Sequence, residues 1–120
     1  MATYFIRDNL TLKRALREWQ EELSVRGVDE TCLFHCRLVF SELASNALRH
    51  AGGNAKIEGL FFENRVEITA YSAGNLPPEN SRCSSVYAES GRGLFLIDSV
   101  SARRENTTDG GVKVVVLREE

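Results

Sequence analysis

Two hydrophobic periods alternate along the chain, and the switches between them outline its elements. TYFIRD, residues 3–8, alternates apolar and polar positions as a half-buried strand does. From residue 11 to 27, Leu12, Ala15, Leu16, Trp19 and Leu23 recur at i, i+3 and i+4, which predicts an amphipathic helix stopped by Gly27. A second helix starts after Asp29, a suitable N-cap, and runs to about His50 before Gly52-Gly53 ends it. Its apolar stripe is Cys32, Cys36, Val39, Phe40, Leu43 and Ala47. AKIEGLFFENRVEITAYSA then gives two β-rich segments about a Glu63-Asn64 turn, the pattern of a hairpin. Residues 73–90 hold no apolar period, and Pro77-Pro78 opens them as a loop, long enough to suggest a functional segment. GRGLFLIDSVSA, residues 91–102, predicts a helix entered through two glycines, and GGVKVVVLRE a closing strand with Val112, Val114 and Val116 on one side.

The order is β-α-α-β-β-loop-α-β. Consecutive helices followed by a hairpin favour an α+β two-layer sandwich over a doubly wound parallel sheet. The expected architecture is one domain, residues 1–120, with helices on one face of a mixed, mostly antiparallel sheet.

Composition narrows the function classes. A chain of 120 residues with 42% hydrophobic and 27% charged positions is long enough for one real core. A net charge of −2 with interspersed signs gives no reason to expect nucleic acid or a membrane surface as partner. No apolar run approaches the roughly 20 residues of a membrane-spanning helix, and the N-terminus is not a signal peptide, so a cytoplasmic location is expected. Three cysteines occur without a CxxC. Cys32 and Cys36 lie on the apolar stripe and read as core thiols rather than zinc ligands, since Cys83 and His50 lack the spacing to complete a site. His35 falls off the stripe, at a surface or boundary position.

One pattern in the second helix is not about its core. In VFSELASNALRHAGG, residues 39–53, Glu42, Asn46 and His50 recur every four residues. Four residues turn a helix by 400°, so the three drift only about 40° each and share one stripe over two turns. An acid, an amide and an imidazole could be an ordinary solvated face, but they also suit chemistry. Asn46 offers a hard oxygen of the kind Mg²⁺ prefers, and Glu42, one turn earlier, could accept a proton from an attacking hydroxyl or water. Gly91 and Gly93 stand where a helix begins, a place whose unpaired N–H groups and dipole attract phosphate.

Taken in order, these features resemble the GHKL (Bergerat-fold) ATPase superfamily, and within it the anti-sigma-factor serine/threonine kinase branch. ELASNALRHA is similar to the N-box of that branch, SGRGLFLID to its second glycine box, and DGGVKVVVL to its closing glycine-then-strand element. The resemblance implies ATP and Mg²⁺ as cofactors, with Glu42 as general base and Asn46 as the magnesium ligand. It implies that His50, Ser72, Gly74, Arg82, Gly91, Arg92, Gly93 and Leu94 contribute to the nucleotide site, with residues 77–90 in the ATP lid. The first glycine box departs from the family's DxGxG: in SAGNL, Ser72 stands for the Asp that receives the adenine amino group, Gly74 is kept, and Leu76 replaces the second Gly.

The resemblance implies a partner-switching regulator that phosphorylates a serine of a small antagonist protein and otherwise sequesters a sigma factor. The first helix offers an edge for a homodimer or partner contact. Two alternatives stand beside it. A degenerate domain would act as a protein-interaction module without ATP turnover, a reading Ser72 favours. A detached histidine-kinase catalytic domain fits less well, since no dimerisation helix pair with a phosphoacceptor His precedes the motifs.

Overall fold

The computed structural model describes residues 2–50, 54–72, 91–108 and 110–118. In chain order the elements are β1 (Ala2–Ile6), α1 (Asn9–Val25), α2 (Glu30–His50), β2 (Ala55–Phe61), β3 (Arg65–Ser72), α3 (Gly91–Val100), β4 (Arg103–Asn106) and β5 (Gly111–Leu117). The strands form one five-stranded sheet in the order β1-β2-β3-β5-β4. The helices pack on one of its faces, which is the expected α+β sandwich. Two expectations are corrected. All four pairings among the described residues are antiparallel, where a mixed sheet was expected. A fifth strand, β4, lies beyond the third helix. Its sequence RREN carries no apolar alternation because it is an outer strand whose charged side chains face solvent and ion-pair partners.

Local chemistry sets the helix ends. The Asp8 carboxylate accepts from the Thr11 amide at 2.8 Å while the Thr11 hydroxyl accepts from the Asp8 amide at 3.0 Å, a reciprocal box that starts α1. These bonds hold the Asp8 carboxyl below its usual range. Gly27 stops the helix with φ +71°, a left-handed conformation open to glycine at little cost. Asp29 accepts from the Cys32 amide at 3.0 Å and so caps α2 as expected.

Trp19, fully buried, joins the two layers. It stacks on Phe40 of α2 with ring centroids 5.6 Å apart and meets the edge of Tyr4 of β1 at 6.0 Å. Its indole N–H donates to the Cys36 carbonyl at 3.1 Å. Its six-membered ring lies on Gly59 of β2, where a Cβ would collide with it. Burial, with Glu22 and Glu18 nearby, pushes the Tyr4 phenol up to about 12, so the hydroxyl stays neutral. The Cys32 and Cys36 sulfurs are buried 3.7 Å apart, far beyond the ~2.05 Å of a disulfide bond. Contact with Cys32, then burial, raises the Cys36 thiol above its ordinary value, as suits a core group. Val112, Val114 and Val116 are buried on the helix side of β5 as expected.

Gly59 and Trp19 therefore form one packing unit. Gly59→Ala is expected to lower the unfolding free energy in urea by about 1–3 kcal/mol, the usual cost of overpacking. Combining it with Trp19→Leu should cost less than the sum of the single changes, because the smaller side chain vacates the space the methyl needs.

Candidate functional site

Helix α2 has two working faces. Its buried stripe, from Cys32 to Ala47, faces the sheet and α1. Arg37 shares a groove with Lys13, Leu16, Arg17 and Gln20 of α1, which marks the α1 flank. Asn46 lies nine residues further on, a rotation of 900°, or about 180° from Arg37. The Glu42/Asn46 line thus runs along the flank away from α1, and α3 is the other helix packed on α2.

Glu42 and Asn46 are both half-buried, one turn apart. The Asn46 Oδ1 is fully buried and has no hydrogen-bond partner among the described residues. Such an atom costs about 1–3 kcal/mol if nothing satisfies it, and buried polar side chains seldom go without a partner. An amide oxygen held dry beside a carboxylate is a donor set that fits a hard cation such as Mg²⁺. No group of three or more His, Cys, Asp or Glu is clustered for metal binding among the described residues.

The other expected site residues are placed more coarsely. His50 ends α2, Ser72 ends β3, and Gly91, Arg92, Gly93 and Leu94 form the first turn of α3. Those ends belong to the elements around α2: β3 lies centrally in the sheet, and α3 packs on α2. Gly74, Arg82, the 77–90 lid, Cys83 and Gly52-Gly53 lie outside the described residues.

Two features escaped the sequence pattern. A cavity of about 610 Å³ opens at the end of the sheet where β3 leads to Ser72, lined by Phe5, Arg7, Asn54, Lys56 and Tyr71 among others. Phe5, Lys56 and Tyr71 are register partners across β1, β2 and β3 and point to the face away from the helices, while Ile6 and Ala55, on the helix-covered side, also line the cavity. The Lys56 ammonium sits 4.8 Å above the Tyr71 ring. Gly111, read as part of the closing glycine-then-strand element, has a packing reason as well: a Cβ there would come 2.7 Å from the Tyr71 ring. Register across three strands was the missing signal, and it is not visible in any one segment. The second feature is Arg104 of β4, which forks onto Asp98 of α3 through Nε at 2.8 Å and Nη2 at 3.2 Å.

The buried amide oxygen makes a prediction for the ligand-free protein. Asn46→Ala removes an unsatisfied group rather than a packed one, so its melting temperature without nucleotide should equal or exceed that of wild type, while added Mg·ATP should no longer raise it. A drop in ligand-free stability would show that Asn46 is there to hold the fold.

No helix among the described residues is long and apolar enough to cross a membrane. Among curated proteins, none matches the chain. Residues 7–118 match the histidine kinase-like ATPase domain, a span that takes in both faces of α2, the whole sheet beyond β1 and the α3 glycines. A match over nearly the full length, on a helix-covered antiparallel sheet of this order, means that the chain belongs to the histidine kinase-like ATPase domain family of the GHKL superfamily.

Proposed function

We propose that the protein is an ATP-dependent serine/threonine kinase of the anti-sigma-factor type, which phosphorylates a serine on a small antagonist protein and otherwise holds a sigma factor. The observation that carries this reading is the dry Asn46 oxygen, without a hydrogen-bond partner among the described residues, one turn from Glu42 on a helix of an ATPase-family domain. Asn46 would hold Mg²⁺, which supplies charge neutralisation for the nucleotide phosphates. The carboxylate of Glu42 would take the proton of the attacking serine hydroxyl. The start of α3, with Gly91 and Gly93 letting the backbone come close, would receive phosphate oxygens through its unpaired N–H groups. Arg92 would add a cation, and His50, Ser72, Gly74, Arg82 and Leu94 the remaining contacts to the nucleotide.

Ser72 favours a second reading, an interaction module that has given up ATP. A neutral hydrogen bond contributes about 0.5–1.5 kcal/mol net and a charge-assisted one roughly twice that. Exchanging the family's Asp for a serine hydroxyl therefore weakens adenine binding several-fold, since about 1.4 kcal/mol is a factor of ten. The loss is moderate, and an intact phosphate end can carry nucleotide binding in spite of it.

Calorimetric titration with Mg·ATP separates the two readings. Saturable binding is expected, and its absence would leave the interaction module. Glu42→Gln should keep ATP affinity and lose phosphoryl transfer to the antagonist by roughly 10²–10⁴-fold. Unchanged transfer would remove Glu42 from the chemistry. Ser72→Asp should tighten ATP several-fold without helping GTP, because a carboxylate accepts from the adenine amino group and repels the guanine carbonyl oxygen. Loss of stability with no gain in ATP affinity would mean that the pocket is remodelled around Leu76.

A further inference from the structure

Helix α3 carries the glycines expected at the phosphates, so what aims its axis matters. Among its described side chains Ile97 is fully buried and Val100 packs against the core, apolar contacts that carry no fixed direction of their own. The polar fixture is Asp98. Its carboxylate receives both Nε and Nη2 of Arg104, whose side chain is 7% exposed on β4. Arg104 is the register partner of Val114, so it stands on the helix-covered side of the sheet. Its third nitrogen, Nη1, is buried with no partner among the described residues, as is the Ser101 hydroxyl oxygen. Asp98 is thus the counter-charge of a desolvated guanidinium.

Helix stability alone does not explain this acid. Asp98 occupies the last turn of α3, the negative end of the helix dipole, where a carboxylate is unfavourable by itself. What it gains there is a fork with two parallel bonds, which fixes direction as well as distance. From Asp98 to Gly91 is seven residues, about 10 Å along the axis. A tilt of about 6° at the fork moves the first turn by about 1 Å, and displacements of that size can cost a reacting geometry 10²-fold.

We propose that Asp98 and Arg104 are positioning residues for nucleotide phosphate: the ion pair clamps the far end of α3 to β4 and thereby aims its N-terminal turn. The inference rests on the nucleotide reading of the site. It concerns phosphate and not adenine, since the clamp acts on α3 and the adenine contact belongs to the end of β3.

The variant of choice is Arg104→Met, because replacing a buried charge by an apolar side chain of similar length is often neutral for folding. Affinity for Mg·ATP by calorimetry and for adenosine by NMR titration would be compared with wild type, alongside melting temperature. Arg104→Met is expected to bind ATP about ten-fold or more weakly and adenosine as wild type does. ATP binding within two-fold of wild type overturns the proposal, and so does an equal loss for ATP and adenosine, the mark of a merely structural role. If Arg104→Met does not fold, Asp98→Asn on the exposed partner is read by the same ratio, with the same expected direction and the same overturning results. Wild type that binds neither ligand would sink the nucleotide reading and this proposal together. Wild type that binds ATP beside a variant that binds it equally sinks the clamp alone.

Discussion

A single tryptophan holds the two layers in register. The Trp19 indole covers Gly59 of β2, stacks on Phe40 of α2, meets Tyr4 of β1 and donates its N–H to the Cys36 carbonyl. Each contact constrains a different element. The bare backbone at Gly59 lets α1 sink onto the sheet, the Phe40 ring sets α2 beside α1, and the hydrogen bond fixes how far α2 is rotated about its own axis. That rotation matters most, because it decides which flank of α2 is left for Glu42 and Asn46. Interiors packed as densely as crystals transmit such constraints over several side chains.

Helix α2 therefore serves two demands that conflict. Its buried stripe lowers the free energy of the fold, whereas the Asn46 oxygen, which has no partner among the described residues, raises it. A protein selected for stability alone would place an alanine or leucine at that position. The cost is local and small against a core that includes Trp19, Phe40, Val39 and Cys36, all fully buried. Arg104 repeats the arrangement on β4: a charge is kept dry against one carboxylate where an apolar residue would pack. Asn46 and Arg104 both lie on or beside the helices that flank the candidate site.

The sheet face away from the helices is organised by charge instead. Glu67 is 7% exposed and accepts from Arg65 at 2.8 Å, while Lys113 approaches both Glu67, at 3.7 Å, and Glu105, at 3.9 Å. These long side chains cover Val115, which is buried on this face although no helix lies over it. The stems of Arg65 and Lys113 shield the strands while their charged ends pair with the buried Glu67 carboxylate.

Much of this was legible in the residues themselves. The apolar period of α1 and α2, the Asp29 cap, the Gly27 stop and the hairpin about Glu63-Asn64 are local, because helix period, cap chemistry and turn residues act within a few positions. The spacing of Glu42 and Asn46 likewise placed them on one line, since a helix converts i, i+4 into neighbourhood whatever surrounds it. Strand β4 was not legible, for an outer strand of three charged residues and an asparagine takes its identity from residues 112–115 across the ladder. The reasons for Gly59 and Gly111 were hidden too, as each is a contact with a ring from another element. So was the Asp98–Arg104 fork, whose partners are six residues apart with a turn between. Sequence determined which side chains share a face; only the tertiary structure decided which faces meet, because hydrogen-bond partners and burial are properties of pairs and not of residues.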